Sequence, residues 1–91
     1  MNNDTFAILE QRTDKHGRAA WFLGDMTEDG CVVLHVSRES ANARIHVLQH
    51  RRFFLTDDNR VPPYRVVNTN TSYYMRARSN TLDWLTARER V

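Results

Sequence analysis

A chain of 91 residues with 13 Lys+Arg, 11 Asp+Glu, a net charge of +2 and 41% hydrophobic residues is expected to form one soluble domain, residues 1–91, around one small core. Its longest apolar runs, such as Cys31-Val32-Val33-Leu34, are far too short for a bilayer, and residues 1–10 lack the basic start and apolar stretch of a secretory signal. The single cysteine, Cys31, excludes an intrachain disulfide and suits the reducing cytoplasm.

Thr5–Thr13 reads as a first strand, with Phe6 and Ile8 alternating against Ala7 and Leu9. Asp14-Lys15-His16-Gly17 is a turn, and Arg18–Met26, carrying Trp21, Phe22 and Leu23, is a second strand. Thr27-Glu28-Asp29-Gly30 supplies the stronger hairpin signal in its Asp-Gly pair, and Cys31–Val36 is then a third strand. Three strands on short connections predict an antiparallel meander.

Ser37 is placed to cap a helix over residues 38–50, whose Ala41, Ile45 and Leu48 recur at spacings of four and three. The rival is a strand with Ala43, Ile45 and Val47 on one face; the helix is favoured because the segment is long for a strand. Phe53–Thr56 reads as a short strand closed by the turn trio Asp57-Asp58-Asn59, and Pro62-Pro63 stiffens the approach to a strand at Tyr64–Val67. Asn68-Thr69-Asn70-Thr71 is a loop of turn formers, so "YRVVNTNTSYYMRA" predicts a hairpin with a strand over residues 73–78. Asn80 caps a last short helix, "TLDWLTARER", with Leu82 and Leu85 inward and Trp84 beside them. The expected fold is α+β: a small, mostly antiparallel sheet with one central helix over residues 38–50 and a short C-terminal helix. Its core is expected to include Ile8, Trp21, Leu23, Val33, Ile45, Leu48, Phe54 and Val66.

Over residues 37–85 the chain resembles a small bacterial domain family of unknown function. That family closes on a Tyr-Leu-Arg strand, a polar stretch and an Asn-Leu-x-x-Leu-Pro ending. Tyr74-Met75-Arg76 and Asn80-Thr81-Leu82-Asp83-Trp84-Leu85 sit in similar places here. The chain departs from the pattern in lacking the paired Asn and the closing Pro and in having an extra residue between Asn80 and Leu82. The resemblance implies an α+β fold and supplies no activity.

Catalytic equipment is sparse. His46 and His50, four apart on a helix, present two imidazoles to one side, but zinc needs three or four ligands and no Glu follows His46. Cys31 and His35 on a strand would lie about 13 Å apart, too far for a nucleophile–base pair; Cys31 beside Val32-Val33-Leu34 reads as a buried small hydrophobe. Asp57-Asp58 sits in a turn, where Asp serves local hydrogen bonds. With three glycines in all, no phosphate-cradling loop exists. The sequence therefore predicts no enzyme, no cofactor and no metal.

Charge is lopsided. Residues 1–35 hold three cations and six acids, residues 36–91 ten and five, and every cation but Lys15 is arginine. Arginine forks onto carboxylate or phosphate and stacks on rings, although such a bias also follows from a GC-rich genome. If residues 73–78 form a strand, Tyr74, Arg76 and Arg78 share a face that Arg44, Arg51, Arg52 and Arg65 extend. Such a face offers a stacking platform and phosphate forks for nucleic acid. Arg51 and Arg52 equally suit a helix C-terminus, where cations offset the dipole. The reading favoured by elimination is a small protein-interaction or regulatory module. Its partner is another protein or a second copy of the chain, with nucleic acid the alternative and membrane excluded. Exposed members of Trp21, Tyr64, Tyr73 and Trp84 are its candidate anchors.

Overall fold

The structure, a computed structural model, describes residues 4–13, 16–55 and 63–89, the side chains of 51–55 and 87–89 excepted. The elements run β1 (Phe6–Thr13), β2 (Ala19–Leu23), β3 (Leu34–His35), α1 (Arg38–Leu55), β4 (Tyr64–Asn68) and α2 (Ser72–Glu89). The four strands form one antiparallel sheet, so the class is α+β. No helix among the described residues is long and apolar enough to cross a membrane.

β1 pairs with every other strand. β2 and β4 both pair with Leu9 and Glu10, while β3 and β4 both pair with Phe6 and Ala7. A strand has two edges, so β4 holds one of them, and β2 and β3 follow each other along the other. This corrects the expected meander. The chain steps off the β1 edge at Gly24, whose N–H still donates to Ile8 O at 2.8 Å. A Cβ at Gly24 would lie 3.0 Å from that of Glu10, so glycine permits this close exit. Residues 25–33 then form a side hairpin, with Val33 N–H donating to Asp25 O, Thr27 N–H to Cys31 O, and Gly30 at φ 85° in the turn. Of the expected strand Cys31–Val36, Leu34–His35 joins the sheet, and Cys31 is exposed rather than buried.

Alternation along β1 gives the sheet two different faces. Ala7 and Leu9 join Leu23 and Val67 in a cluster covered by Tyr74 and Ala77 of α2, with Trp21, Met26 and Val32 packed at its margin. Phe6, Ile8 and Glu10 point the other way, toward α1. There the Arg38 guanidinium lies 5.0 Å from the Phe6 ring centroid and donates to Val66 O. Among the described residues no backbone position of α1 comes close to α2, and the molecule is layered helix, sheet, helix. Of the expected core, Ile8 and Leu23 are buried and Trp21, Val33, Ile45, Leu48 and Val66 are half-buried. The Phe54 side chain lies outside the described residues.

Ser37 caps α1 as expected: Ser40 N–H donates to Ser37 Oγ and Ala41 N–H to Ser37 O. The helix runs past His50 to Leu55, so the expected strand at Phe53–Thr56 is corrected over residues 53–55. Adding a residue to a formed helix is cheaper than starting a strand. Thr56 and the turn Asp57-Asp58-Asn59 lie outside the described residues.

The largest correction concerns residues 72–80, which are the first half of α2 and neither a strand nor a loop. Thr71 is the cap, its Oγ1 accepting from Tyr74 N–H at 3.4 Å while donating to Asn68 O at 2.7 Å. Asn80, expected to cap, lies mid-helix and donates through Nδ2 to Trp21 O at 3.0 Å. Thr81 Oγ1 accepts from Leu23 N–H at 2.9 Å. Leu23 lies opposite Leu9, whose own polar groups serve β4, so these bonds satisfy the outward-facing groups of β2. α2 thereby closes an edge that would otherwise invite another strand.

Candidate functional site: an arginine–aromatic face

Tyr73, Ala77, Asn80 and Trp84 recur along α2 at spacings of four, three and four, which aligns them on one flank. Ala77 is buried, but Tyr73 is 56% and Trp84 42% exposed. Such exposure in a small domain needs a reason, because each ring gives up about half of the roughly 1.5–3 kcal/mol that full burial of a large apolar side chain contributes. Both rings have arginine partners. The Arg65 guanidinium lies 5.3 Å from the Tyr73 centroid and 5.8 Å from that of Trp21, and the Arg12 guanidinium lies 5.5 Å from Trp84.

The two arginines differ electrostatically. Arg12 Nε donates to Oε2 of the fully buried Glu10, whose Oε1 accepts from Tyr64 OH at 3.1 Å. Arg65 is exposed on β4 and, among the described residues, has no carboxylate partner. Its guanidinium lies near two rings, and its N–H groups offer a donor fork. Each stacked contact contributes roughly 0.5–1 kcal/mol at such sites and holds the fork in place. The chemistry this arrangement offers is capture of a planar anion, a carboxylate above all, beside an apolar ring.

The other candidate residues are dispersed. Tyr74 is buried in the core and offers no stacking platform. Arg76 and Arg78 are exposed on α2 but two positions apart on a helix, so they diverge by about 200°. Arg44 is bound bidentately to Asp25, with Nε to Oδ2 at 3.0 Å and Nη2 to Oδ1 at 3.2 Å. That carboxylate raises the Arg44 pKa, first through the hydrogen bond and against the opposing effect of desolvation. Arg51 and Arg52 lie on α1, their side chains outside the described residues. His46 and His50 are exposed, and no group of three or more His, Cys, Asp and Glu among the described residues is arranged to hold a metal.

A polar cluster beneath α1 escaped sequence reading. Asp25, 2% exposed, has His35 Nε2 at 3.7 Å as well as Arg44, and His35 Nδ1 lies 3.1 Å from Ser40 Oγ. Serine, histidine and aspartate in a row are the parts of an acyl-transfer site. Here both Asp25 oxygens already accept from Arg44, and the 3.7 Å gap leaves His35 Nε2 without a hydrogen bond. The cluster is a clasp between α1 and the joint of β2 and β3. No sequence signal marks it, because the partners are brought together by the side hairpin.

Comparison with protein-family models, with curated proteins and with solved structures finds no match.

Proposed function

We propose that the protein is a non-catalytic, cytoplasmic interaction module that binds an acidic segment of a partner protein on the Trp21–Arg65–Tyr73–Trp84 face. The observation that carries this reading is Arg65, an exposed guanidinium close to two rings and, among the described residues, without a carboxylate partner. Tryptophan, tyrosine and arginine are the residues that dominate binding energy at interfaces. A fork already held by its neighbours loses little freedom on binding. A partner carboxylate would fill the N–H edge of Arg65, and an adjacent apolar side chain would lie on Tyr73 or Trp84.

Nucleic acid fits the same face less well. A phosphate chain needs several free cations in a track, whereas Arg44 and Arg12 are bound to Asp25 and Glu10 and Tyr74 is buried. The two tryptophans of the chain lie in this face, so their indole N–H signals report on it directly. Titration with acidic peptides bearing one aromatic residue is expected to move both signals, and Arg65→Ala to abolish the response. Binding of a random single-stranded oligonucleotide at physiological salt, with no response to any acidic peptide, would overturn the proposal.

A further inference from the structure

The opposite flank of α2 carries a second surface. Met75, Arg78, Leu82 and Leu85 follow spacings of three, four and three, and Met75 and Leu82 are 56% and 53% exposed. Arg78, Leu82 and Leu85 of this flank form one wall of an open groove of about 330 Å³, with Met75 outside its lining. Leu23 and Thr81 lie in its lining, and Met26, Val32 and exposed Cys31 of the side hairpin form the other wall. A helix with its side chains is about 10–12 Å across, too broad for so small a groove. What enters is one or two apolar side chains.

The charges at its two walls are complementary. Arg78 is exposed on the helix wall; Glu28 and Asp29 are exposed at the tip of the hairpin wall, next to the groove-lining Gly30. None of the three makes a salt bridge among the described residues. One surface therefore carries a protruding apolar stripe, an apolar recess, an unpaired cation and an unpaired acidic tip. A two-fold interface is self-complementary, so it is the arrangement that can set each feature of one copy against its complement on the other.

We infer that the occupant of this groove is a second copy of the chain. In the pair, Leu82 and Met75 of each α2 enter the groove of the other copy, and each Arg78 meets the other copy's Glu28 and Asp29. Tyr73 and Trp84 lie on the far flank of α2, so dimerisation leaves the arginine–aromatic faces outward, and the dimer presents two of them. The inference does not rest on what those faces bind.

The test is molar mass by light scattering over a concentration series, supported by thiol cross-linking. Wild type is expected to approach twice the 10.7 kDa chain mass at the high end. A short bis-maleimide should join two chains through Cys31, the one cysteine. Leu82→Asp should give monomer at every concentration while leaving the far-ultraviolet spectrum intact, since the residue is exposed. Arg78→Glu should weaken the dimer at least tenfold, and Arg78→Glu combined with Glu28→Arg and Asp29→Arg should restore it. A wild-type protein that stays monomeric throughout, or a dimer indifferent to both Leu82→Asp and Arg78→Glu, would overturn the inference.

Discussion

The clasp beneath α1 can be tested by replacing Arg44 with methionine, which keeps the aliphatic stem and removes the fork. Asp25 is then left 2% exposed with His35 Nε2 at 3.7 Å and without its two donors. Hydrogen bonds to a charged group contribute about 1.5–3 kcal/mol each. The Arg44 side chain is 33% exposed, so solvent already weakens the pair and the lower end applies. The expected cost is about 3 kcal/mol, the range found when one partner of a buried pair is removed. In a domain of this size that lowers the melting temperature by roughly 12–24 °C. Asp25→Asn should cost about 1–2 kcal/mol, since Arg44 can turn to solvent, and the double variant should cost less than the sum by about 1–2 kcal/mol. Urea denaturation of the four proteins at neutral pH measures all of this. A cost under about 1 kcal/mol with additive single effects would place Asp25–Arg44 among ordinary solvated pairs and refute the clasp.

Three further outcomes are expected. Thr81→Val removes the acceptor for the Leu23 N–H and should cost about 1–3 kcal/mol in thermal unfolding, more than a surface substitution. Gly24→Ala drives a methyl to 3.0 Å from Glu10 Cβ and 3.2 Å from its backbone nitrogen, and should destabilise by about 1–3 kcal/mol in chemical denaturation. Because the Arg44 pKa is raised in the fold, its contribution is fully present below the ordinary arginine pKa and is lost only as pH rises through the higher folded value. Melting curves should therefore show a constant gap between wild type and Arg44→Met from neutral to mildly alkaline pH.

What was legible in the sequence follows a physical rule. Elements whose cause is local were readable: the alternation of β1, the Asp29-Gly30 turn, the Ser37 cap and the start of α1 at Arg38 all depend on residues within a few positions. The first half of α2 was not. Its inward positions Tyr74, Ala77 and Thr81 include one threonine and one small residue, so no apolar period stands out, and the paired tyrosines of "SYYM" have the aromatic look of a strand. Its cap was present as Thr71, hidden among the turn formers around it. The candidate site was legible in its parts. Arg65, Trp21, Tyr73 and Trp84 were all named as candidates, but Arg65 was assigned to a basic strand face with Tyr74. Tertiary pairing across β1 put it beside Trp21 and Tyr73 instead.

The manner in which α2 is attached explains why so much of it remains exposed. An amphipathic helix normally holds to a sheet by a broad apolar stripe, and burying that stripe leaves few large hydrophobic residues over. α2 instead places Tyr74 and Ala77 in the core and then makes two hydrogen bonds, from Asn80 to Trp21 O and from the Leu23 N–H to Thr81, onto the free edge of β2. Those bonds fix the rotation of the helix about its axis, because only one face can serve the edge. Fixed this way, α2 turns Tyr73 and Trp84 to one side and Met75 and Leu82 to the other, each more than two-fifths exposed. The same polar attachment that made the helix hard to read from sequence releases its apolar residues from core duty. The β2 edge is thus served by polar bonds at Trp21 and Leu23, while the two flanks of α2 keep their large hydrophobic side chains in solvent.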